Sequence, residues 1–241
     1  FQYEAGVKAL DDVSLTIRPG TVTALVGESG GGKSTVANLI ARFWDVSEGS
    51  VTVGGVEVRE LDYADWMKHI SIVFQDTNLF KMSVAENVAM YKPGASREEI
   101  MEALRQARCE DILEKLPNGV DSVIGARGVY LSGGEMQRIA LARAILKDAP
   151  IVLLDEATAF ADAENEYLIQ RALDILLHGK TVLMIAHRLQ TIVHADQIIV
   201  MQRGGIAEQG THEELMQRQG VYAKMYHEYE NSVSWKIGGW A

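Results

Sequence analysis

The stretch Thr21-Val22-Thr23-Ala24-Leu25-Val26-Gly27-Glu28-Ser29-Gly30-Gly31-Gly32-Lys33-Ser34-Thr35 decides the fold. Val22 to Val26 form a short, β-branched run, the pattern of a strand covered on both faces. Gly27 to Ser34 then match G-x-x-x-x-G-K-[ST] in full, and Val36, Leu39, Ile40 and Phe43 follow with helical period. The chemistry follows from the residue types. Glycines permit backbone turns that aim a row of N–H groups inward. The helix N-terminus adds partial positive charge where a phosphate sits. In such a loop Lys33 reaches the β- and γ-phosphates, the Ser34 hydroxyl ligates Mg²⁺, and Thr35 bonds near the α-phosphate. A Gly-rich turn before a helix is the plain alternative, and strand, helix and Lys-Ser in one register weigh against it.

Working outward, further short apolar runs occur at Ile70 to Phe74, Ile151 to Leu154, Thr181 to Ala186 and Gln197 to Met201. Segments of helical period lie between them. One holds Ile139, Ala142, Ile145 and Leu146; another holds Leu168, Ile169, Ala172, Leu173 and Leu176 and stops at His178-Gly179. Strands alternating with helices predict an α/β fold. Residues 76–150 read as mostly helical, without a clear strand. The organisation expected is therefore an α/β core from 1–75 and 151–215, a helical subdomain at 76–150, and a C-terminal helix and tail at 216–241. The end from Ser232 to Ala241 has no clear period and reads as a frayed tail.

Composition narrows the class. The 241 residues are 47% hydrophobic and 23% charged, the balance of an ordinary globular protein. Net charge is 23 minus 33, or −10, with pI near 5.1, which argues against a broad electrostatic grip on nucleic acid. Cys109 is the one cysteine, so no internal disulfide forms and a reducing cytosolic compartment fits. No apolar run has the length of a membrane span, and no secretory signal is visible. The chain begins at Phe1, so it is expected to be cut from something longer.

Two more motifs carry chemistry. Ile151-Val152-Leu153-Leu154-Asp155-Glu156 is an apolar strand ending in two carboxylates. Ligands of open α/β sheets bind at such strand ends, so Asp155 is placed to hold Mg²⁺ and Glu156 to act as general base toward water. Alone, the pair would read as two solvated acids; beside the phosphate loop it reads as chemistry. Leu131-Ser132-Gly133-Gly134-Glu135 opens the next helix, and Ser132 with Glu135 forms a capping box. The box leaves Gly133 and Gly134 unexplained, since glycine there weakens a helix by roughly 1 kcal/mol relative to alanine. They make sense if another backbone or a phosphate approaches closely. A second anion site at this helix end suggests a nucleotide sandwiched between two copies of the protein.

These motifs, in this order, resemble the nucleotide-binding domain of ABC transporters across essentially the whole chain. Gly27 to Thr35 is similar to the phosphate loop, Gln75 to the Q-loop glutamine, and Leu131 to Glu135 to the signature sequence. Ile151 to Glu156 is similar to the Walker B strand, Ala159 to Asp162 to the D-loop, His187 to the switch histidine, and Tyr3 to the aromatic that stacks on adenine, with Phe1 a weaker rival. The resemblance implies a P-loop NTPase (RecA-like) core with an N-terminal antiparallel β part and an inserted helical subdomain. It implies ATP and Mg²⁺, with Ser34, Gln75 and Asp155 at the metal and Glu156, His187 and Gln75 in catalysis. Two such domains would pair head to tail, Ser132, Gly133, Gly134 and Glu135 of one closing over ATP held by Gly27, Glu28, Ser29, Gly30, Gly31, Gly32, Lys33, Ser34 and Thr35 of the other. Asp162 would line that interface. Each residue has a plainer reading: Tyr3 as a packed aromatic, Gln75 as a strand-end amide, His187 as a structural histidine. His69, His178, His194, His212 and His227 show no metal spacing.

Leu10 to Leu15, Leu79-Phe80 with Ser83 to Val88, and Gly210 to Leu215 resemble the exporter-type branch, in which membrane helices precede the nucleotide domain in one polypeptide. That implies a transmembrane domain fused N-terminally, a site at the cytoplasmic face of the membrane, and no nucleic acid partner. Three positions depart from the family pattern. Glu135 stands where glutamine is usual, which predicts slower hydrolysis because it adds negative charge near a triphosphate. Ala126 stands where glutamate is common, and Ala157 to Asp162 replaces the usual ending. Together with Glu135, the last is similar to exporter-fold transporters that import iron–siderophore complexes. The alternative reading is a soluble ABC ATPase acting on nucleic acid or ribosomes, disfavoured by acidity and by the absence of sustained heptads. A small-molecule kinase would leave Gly133, Gly134 and His187 without a role.

Overall fold

The computed structural model describes residues 1–3, 8–74, 78–125, 129–155, 163–186 and 188–238, the side chains of 163–164 and 232–238 excepted. Two compact units emerge. The first joins Phe1–Met67 with Thr181–Ala241, and the second is Lys68–Lys180.

The first unit opens with β1 (Val22–Gly27) and α1 (Lys33–Ile40), followed by the antiparallel hairpin β2 (Thr52–Val53) and β3 (Val56–Glu57) and by α2 (Tyr63–Lys68). The chain then builds the second unit. It contains β4 (Ile70–Val73), β5 (Met82–Ser83), α3 (Val84–Ala89), α4 (Arg97–Gln106), α5 (Glu110–Lys115), β6 (Val123–Ile124), α6 (Gly133–Lys147), β7 (Ile151–Asp155) and α7 (Ala163–Leu177). It returns to the first unit through β8 (Thr181–Ile185), β9 (Gln197–Gln202), β10 (Gly205–Gly210), α8 (His212–Arg218) and α9 (Val221–Gly238).

In the first unit the strands lie in the order β10-β9-β1-β8. β1 runs parallel to both neighbours, with Val22 opposite Val182 and Thr23 opposite Gln197, while β10 is antiparallel to β9. Ala24, Leu25 and Val26 of β1 and Ile198, Ile199 and Val200 of β9 are all fully buried. Consecutive buried residues on one strand mean that both faces are covered, which explains runs without alternation. One face is closed by α8 and α9: Leu215 and Tyr222 pack with Ala24, Val26, Ile198 and Val200.

The second unit holds a parallel pair, Ile70 opposite Ile151 through Val73 opposite Leu154. α6 lies in its core, with Ile139, Leu141 and Ala142 fully buried. Asn87 ties the loop before α3 in place. Its amide donates to the carbonyls of Phe80 at 3.0 Å and Ser83 at 3.1 Å, and its Oδ1 accepts from the Phe80 N–H at 2.9 Å. Arg143 of α6 donates to the Asn87 carbonyl at 2.8 Å, so loop and helix are locked together.

All five expected strand runs form strands, and α7 ends at Leu177 just before His178-Gly179. Four features differ from expectation. The predominantly helical stretch contains the short antiparallel pair β5–β6, Met82 opposite Ile124. α1 stops at Ile40, leaving Phe43 outside the helix and exposed. β10 was not anticipated; it is an edge strand of mixed polarity built on β9. Finally, the backbone of α9 is helical through Gly238 rather than fraying from Ser232.

The start of α9 is held by a side chain from another element. The Glu208 carboxylate of β10 accepts the N–H groups of Val221 at 2.6 Å and Tyr222 at 3.0 Å, the task of an N-cap. Glu208→Ala is expected to lower stability by about 1–2 kcal/mol, read as a lower urea midpoint with unchanged slope. An unchanged midpoint would show that α9 does not depend on this cap.

Candidate functional site

The turn between β1 and α1 is shaped by close backbone contacts. Gly27 has φ +135°, and a Cβ there would stand 2.0 Å from the Met201 carbonyl oxygen of β9, so no side chain fits where the strand ends. Gly32 caps α1 with φ +100° and offers no side-chain hydrogen bond to the helix. Four other helices behave differently. α3, α4, α6 and α8 each close their N-termini with a capping box, from Ser83, Ser96, Ser132 and Thr211. The first-turn N–H groups of α1 thus face no side-chain oxygen of their own cap and no acidic residue in the first turn. That is the chemistry of an anion site.

Lys33 supplies the charge. It is only 5% exposed, and its ammonium donates to the carbonyl oxygens of Gly27 at 2.9 Å and Glu28 at 2.8 Å. The cation is held inside the turn by groups of the turn itself. Glu28, Ser29, Gly30 and Ser34 are exposed around it, while Gly31, Gly32 and Thr35 are buried. The donor set fits a phosphate chain: an ammonium, an uncapped helix end and the exposed hydroxyls of Ser29 and Ser34. Ser34 also supplies a neutral oxygen of the kind Mg²⁺ accepts beside phosphate.

Tyr3 stands against the same helix. Its hydroxyl lies 3.1 Å from the Thr35 hydroxyl and accepts from the Asn38 amide at 3.4 Å. Its ring meets Phe1 and Trp44 edge-on, at centroid distances of 5.0 and 5.3 Å. Trp44 escaped sequence reasoning, because only the fold brings the segment after α1 back to Tyr3. The structure therefore brings Tyr3 and Gly27 to Thr35 together within the first unit.

In the second unit, Asp155 ends β7 half-buried, next to the buried Leu154. Ser132 caps α6 as the sequence predicts: its hydroxyl accepts from the Glu135 N–H at 3.3 Å, and the Glu135 carboxylate accepts from the Ser132 N–H at 2.8 Å. Gly133 is exposed and Gly134 buried. A Cβ on Gly134 would come within 2.8 Å of the Asn165 Cβ and Cγ of α7, so packing gives this glycine a structural reason of its own. Gln75, Glu156, Asp162 and His187 lie outside the described residues, as does Ala126.

The charge of Glu135 is not bare. Lys115 of α5 donates to its other oxygen at 3.1 Å. Burial pushes the Glu135 carboxyl up, but hydrogen bonds from the Ser132 N–H, Lys115 and the Ser132 hydroxyl, with the charge of Lys115, hold it below its ordinary range. The negative charge anticipated at this helix end is met by a cation that the sequence did not reveal.

A family model described as ABC transporter matches residues 10–159. The chain is 52% identical over 226 residues to the mycobactin import ATP-binding/permease protein IrtA of Mycolicibacterium thermoresistibile, covering 94% of this chain and 25% of that protein. It is 48% identical over 224 residues to the ATP-dependent lipid A-core flippase of Legionella pneumophila strain Lens, covering 93% of this chain and 38% of that one. Among solved structures, a bacterial Atm1-family ABC exporter with ATP bound superposes with TM-score 0.89 at 39% identity, covering 95% of this chain and 40% of that chain. The chain thus spans between a quarter and two fifths of the length of these relatives.

Gly134→Ala tests the packing account of that glycine. It is expected to destabilise the protein by about 1–3 kcal/mol without nucleotide present, since two Cβ-bearing backbones would have to separate. Thermal denaturation of the nucleotide-free protein reads this directly; an unaltered midpoint would show that packing does not require this glycine.

Proposed function

The chain belongs to the ABC transporter family, and we propose that it is the ATP-binding and hydrolysing domain of a transporter whose other parts cross a membrane. One observation carries the ATP reading: the buried Lys33 ammonium beside the α1 N-terminus, which alone among the α-helices with a described cap lacks both a side-chain cap and acids in its first turn. Lys33 would grip the β- and γ-phosphates, with Gly27 to Gly32 and Thr35 lining the chain of phosphates and Tyr3 stacking on adenine. Ser34, Gln75 and Asp155 would hold Mg²⁺, which neutralises phosphate charge. Glu156 would take the proton of the attacking water, and His187 with Gln75 would orient that water. Phosphoryl transfer requires positioning and charge neutralisation more than covalent help, and this residue set supplies both.

The second half of the site would come from another nucleotide-binding domain, paired head to tail, which contributes Ser132, Gly133, Gly134 and Glu135, with Asp162 lining the interface. The division expected is 1–75 with 151–215 for the nucleotide core, 76–150 for the signature subdomain and 216–241 for the C-terminal part. No described helix of this chain is long and apolar enough to cross a membrane. The membrane part would be a transmembrane domain fused N-terminally, with this domain at the cytoplasmic face, a reading supported by similarity to ATP-binding/permease proteins. Similarity to a mycobactin import protein supports a siderophore cargo.

Lys33→Ala is expected to weaken ATP binding roughly 10- to 100-fold, the worth of a charge-assisted contact. Titration calorimetry checks this, and an affinity within about twofold of wild type would remove Lys33 from the site. Glu156→Gln is expected to keep ATP binding while losing about 10²-fold or more in turnover. Retained phosphate release would exclude Glu156 as the base.

A further inference from the structure

α5 and α6 of the second unit face each other with four charges. Asp111 and Lys115 stand on α5; Glu135 and Arg138 stand on α6. Arg138 pairs with both oxygens of Asp111, at 2.6 and 2.9 Å, and also donates to the Arg108 carbonyl. Its side chain is 1% exposed, so this bidentate contact fixes how α5 lies against α6. The same register delivers Lys115, one turn further along α5, to Glu135. The Lys115 ammonium lies 3.1 Å from the Glu135 carboxylate and 3.8 Å from that of Asp111. Glu135 is nearly enclosed, with 13% of its side chain exposed, whereas Lys115 keeps 65%. Two acids and two bases thus cancel at the N-terminal end of α6.

We propose that Lys115 is a positioning residue of the composite ATP site. It neutralises Glu135 and holds that carboxylate on the Ser132 N–H, so that the α6 end offers donors and no net negative charge to a triphosphate. This inference rests on the reading above, in which Ser132 and its helix end close over ATP bound to another copy. The physical need is specific to this chain. A glutamine at position 135 would complete the capping box without charge, but a glutamate there, without its lysine, would confront a polyanion across a closed interface, where charges are poorly screened. Lys115 makes the glutamate compatible with closure. Lys115 itself is mostly exposed, and Glu135 keeps its hydrogen bond to the Ser132 N–H without it, so removing the lysine leaves the fold and changes the field.

The test uses the intact protein that carries this chain, in the slow-turnover Glu156→Gln background for binding and in the wild-type background for hydrolysis. Lys115→Met is expected to weaken ATP affinity by calorimetry, and to raise KM for ATP, roughly fivefold at about 0.1 M salt. The defect should fade toward about 1 M salt, where the screening length falls from about 10 Å to about 3 Å. Lys115→Arg should preserve affinity to within about twofold, because the charge stays. Adding Lys115→Met to Glu135→Gln should change affinity less than about twofold, since no carboxylate remains to neutralise. An equal loss with and without the Glu135→Gln substitution, or no loss in either case, overturns the inference. If Lys33-dependent ATP binding is intact while Lys115→Met matches wild type, only the Lys115 inference fails. If no Lys33-dependent ATP binding exists at all, the function proposed above fails with it.

Discussion

The site depends on a buried ammonium satisfied by its own loop. Lys33 is almost wholly enclosed, yet it gives hydrogen bonds to the Gly27 and Glu28 carbonyls. A buried charge without partners would be costly; here the turn supplies them. The turn exists only because Gly27 bears no side chain where the Met201 carbonyl passes. That approach in turn requires β9 to lie directly beside β1, which the parallel register of Val26 with Val200 and Gly27 with Met201 provides. Sheet order, glycine and cation are one linked constraint.

The second unit solves a different problem, that of placing one helix end accurately. α6 is anchored at several points: Arg138 on Asp111, Arg143 on Asn87, and Gly134 against Asn165. Arg138 and Arg143 are cations drawn into the protein, and burial pushes the Arg143 guanidinium below its usual range while its hydrogen bonds to Asn87 hold it in place. Such contacts add little net stability, but they leave few ways to seat the helix. The contrast between the two helix ends is chemical. α1 leaves its first turn without a side-chain cap, ready for anions; α6 satisfies its own first turn through the Ser132–Glu135 box.

Much of this was legible in the residues. The strands announced themselves because parallel strands buried on both faces must be apolar throughout, and the phosphate turn because its glycines and lysine have fixed spacing. The capping box at Ser132 was readable for the same local reason. What escaped was tertiary. β10 alternates in polarity and gains its place only by pairing with β9. α9 starts on the Glu208 cap and on Tyr222, whose hydroxyl lies 2.8 Å from His212 Nδ1, and neither contact is local in the sequence. Gly134 also meets Asn165 of a neighbouring helix, a contact that no local pattern announces. Lys115 was invisible because nothing in the spacing of 115 and 135 predicts that α5 and α6 meet there.

The parked position of Lys33 bears on how the loop accepts an anion. Two charge-to-carbonyl hydrogen bonds already satisfy the ammonium, each worth roughly 1.5–3 kcal/mol net in proteins. A phosphate must therefore offer more than a partner; it must offer opposite charge. Neutral groups gain nothing by displacing the Gly27 and Glu28 carbonyls, whereas an oxyanion gains the ionic attraction and the field of the α1 end together. Because the carbonyls belong to the same turn, the ammonium need travel little, and a side chain with many rotamers has already lost most of its freedom on folding. The entropy of ordering Lys33 is thus charged to the fold rather than to the ligand. Selectivity for a highly charged phosphate chain follows from what the loop already satisfies, as much as from what it leaves open.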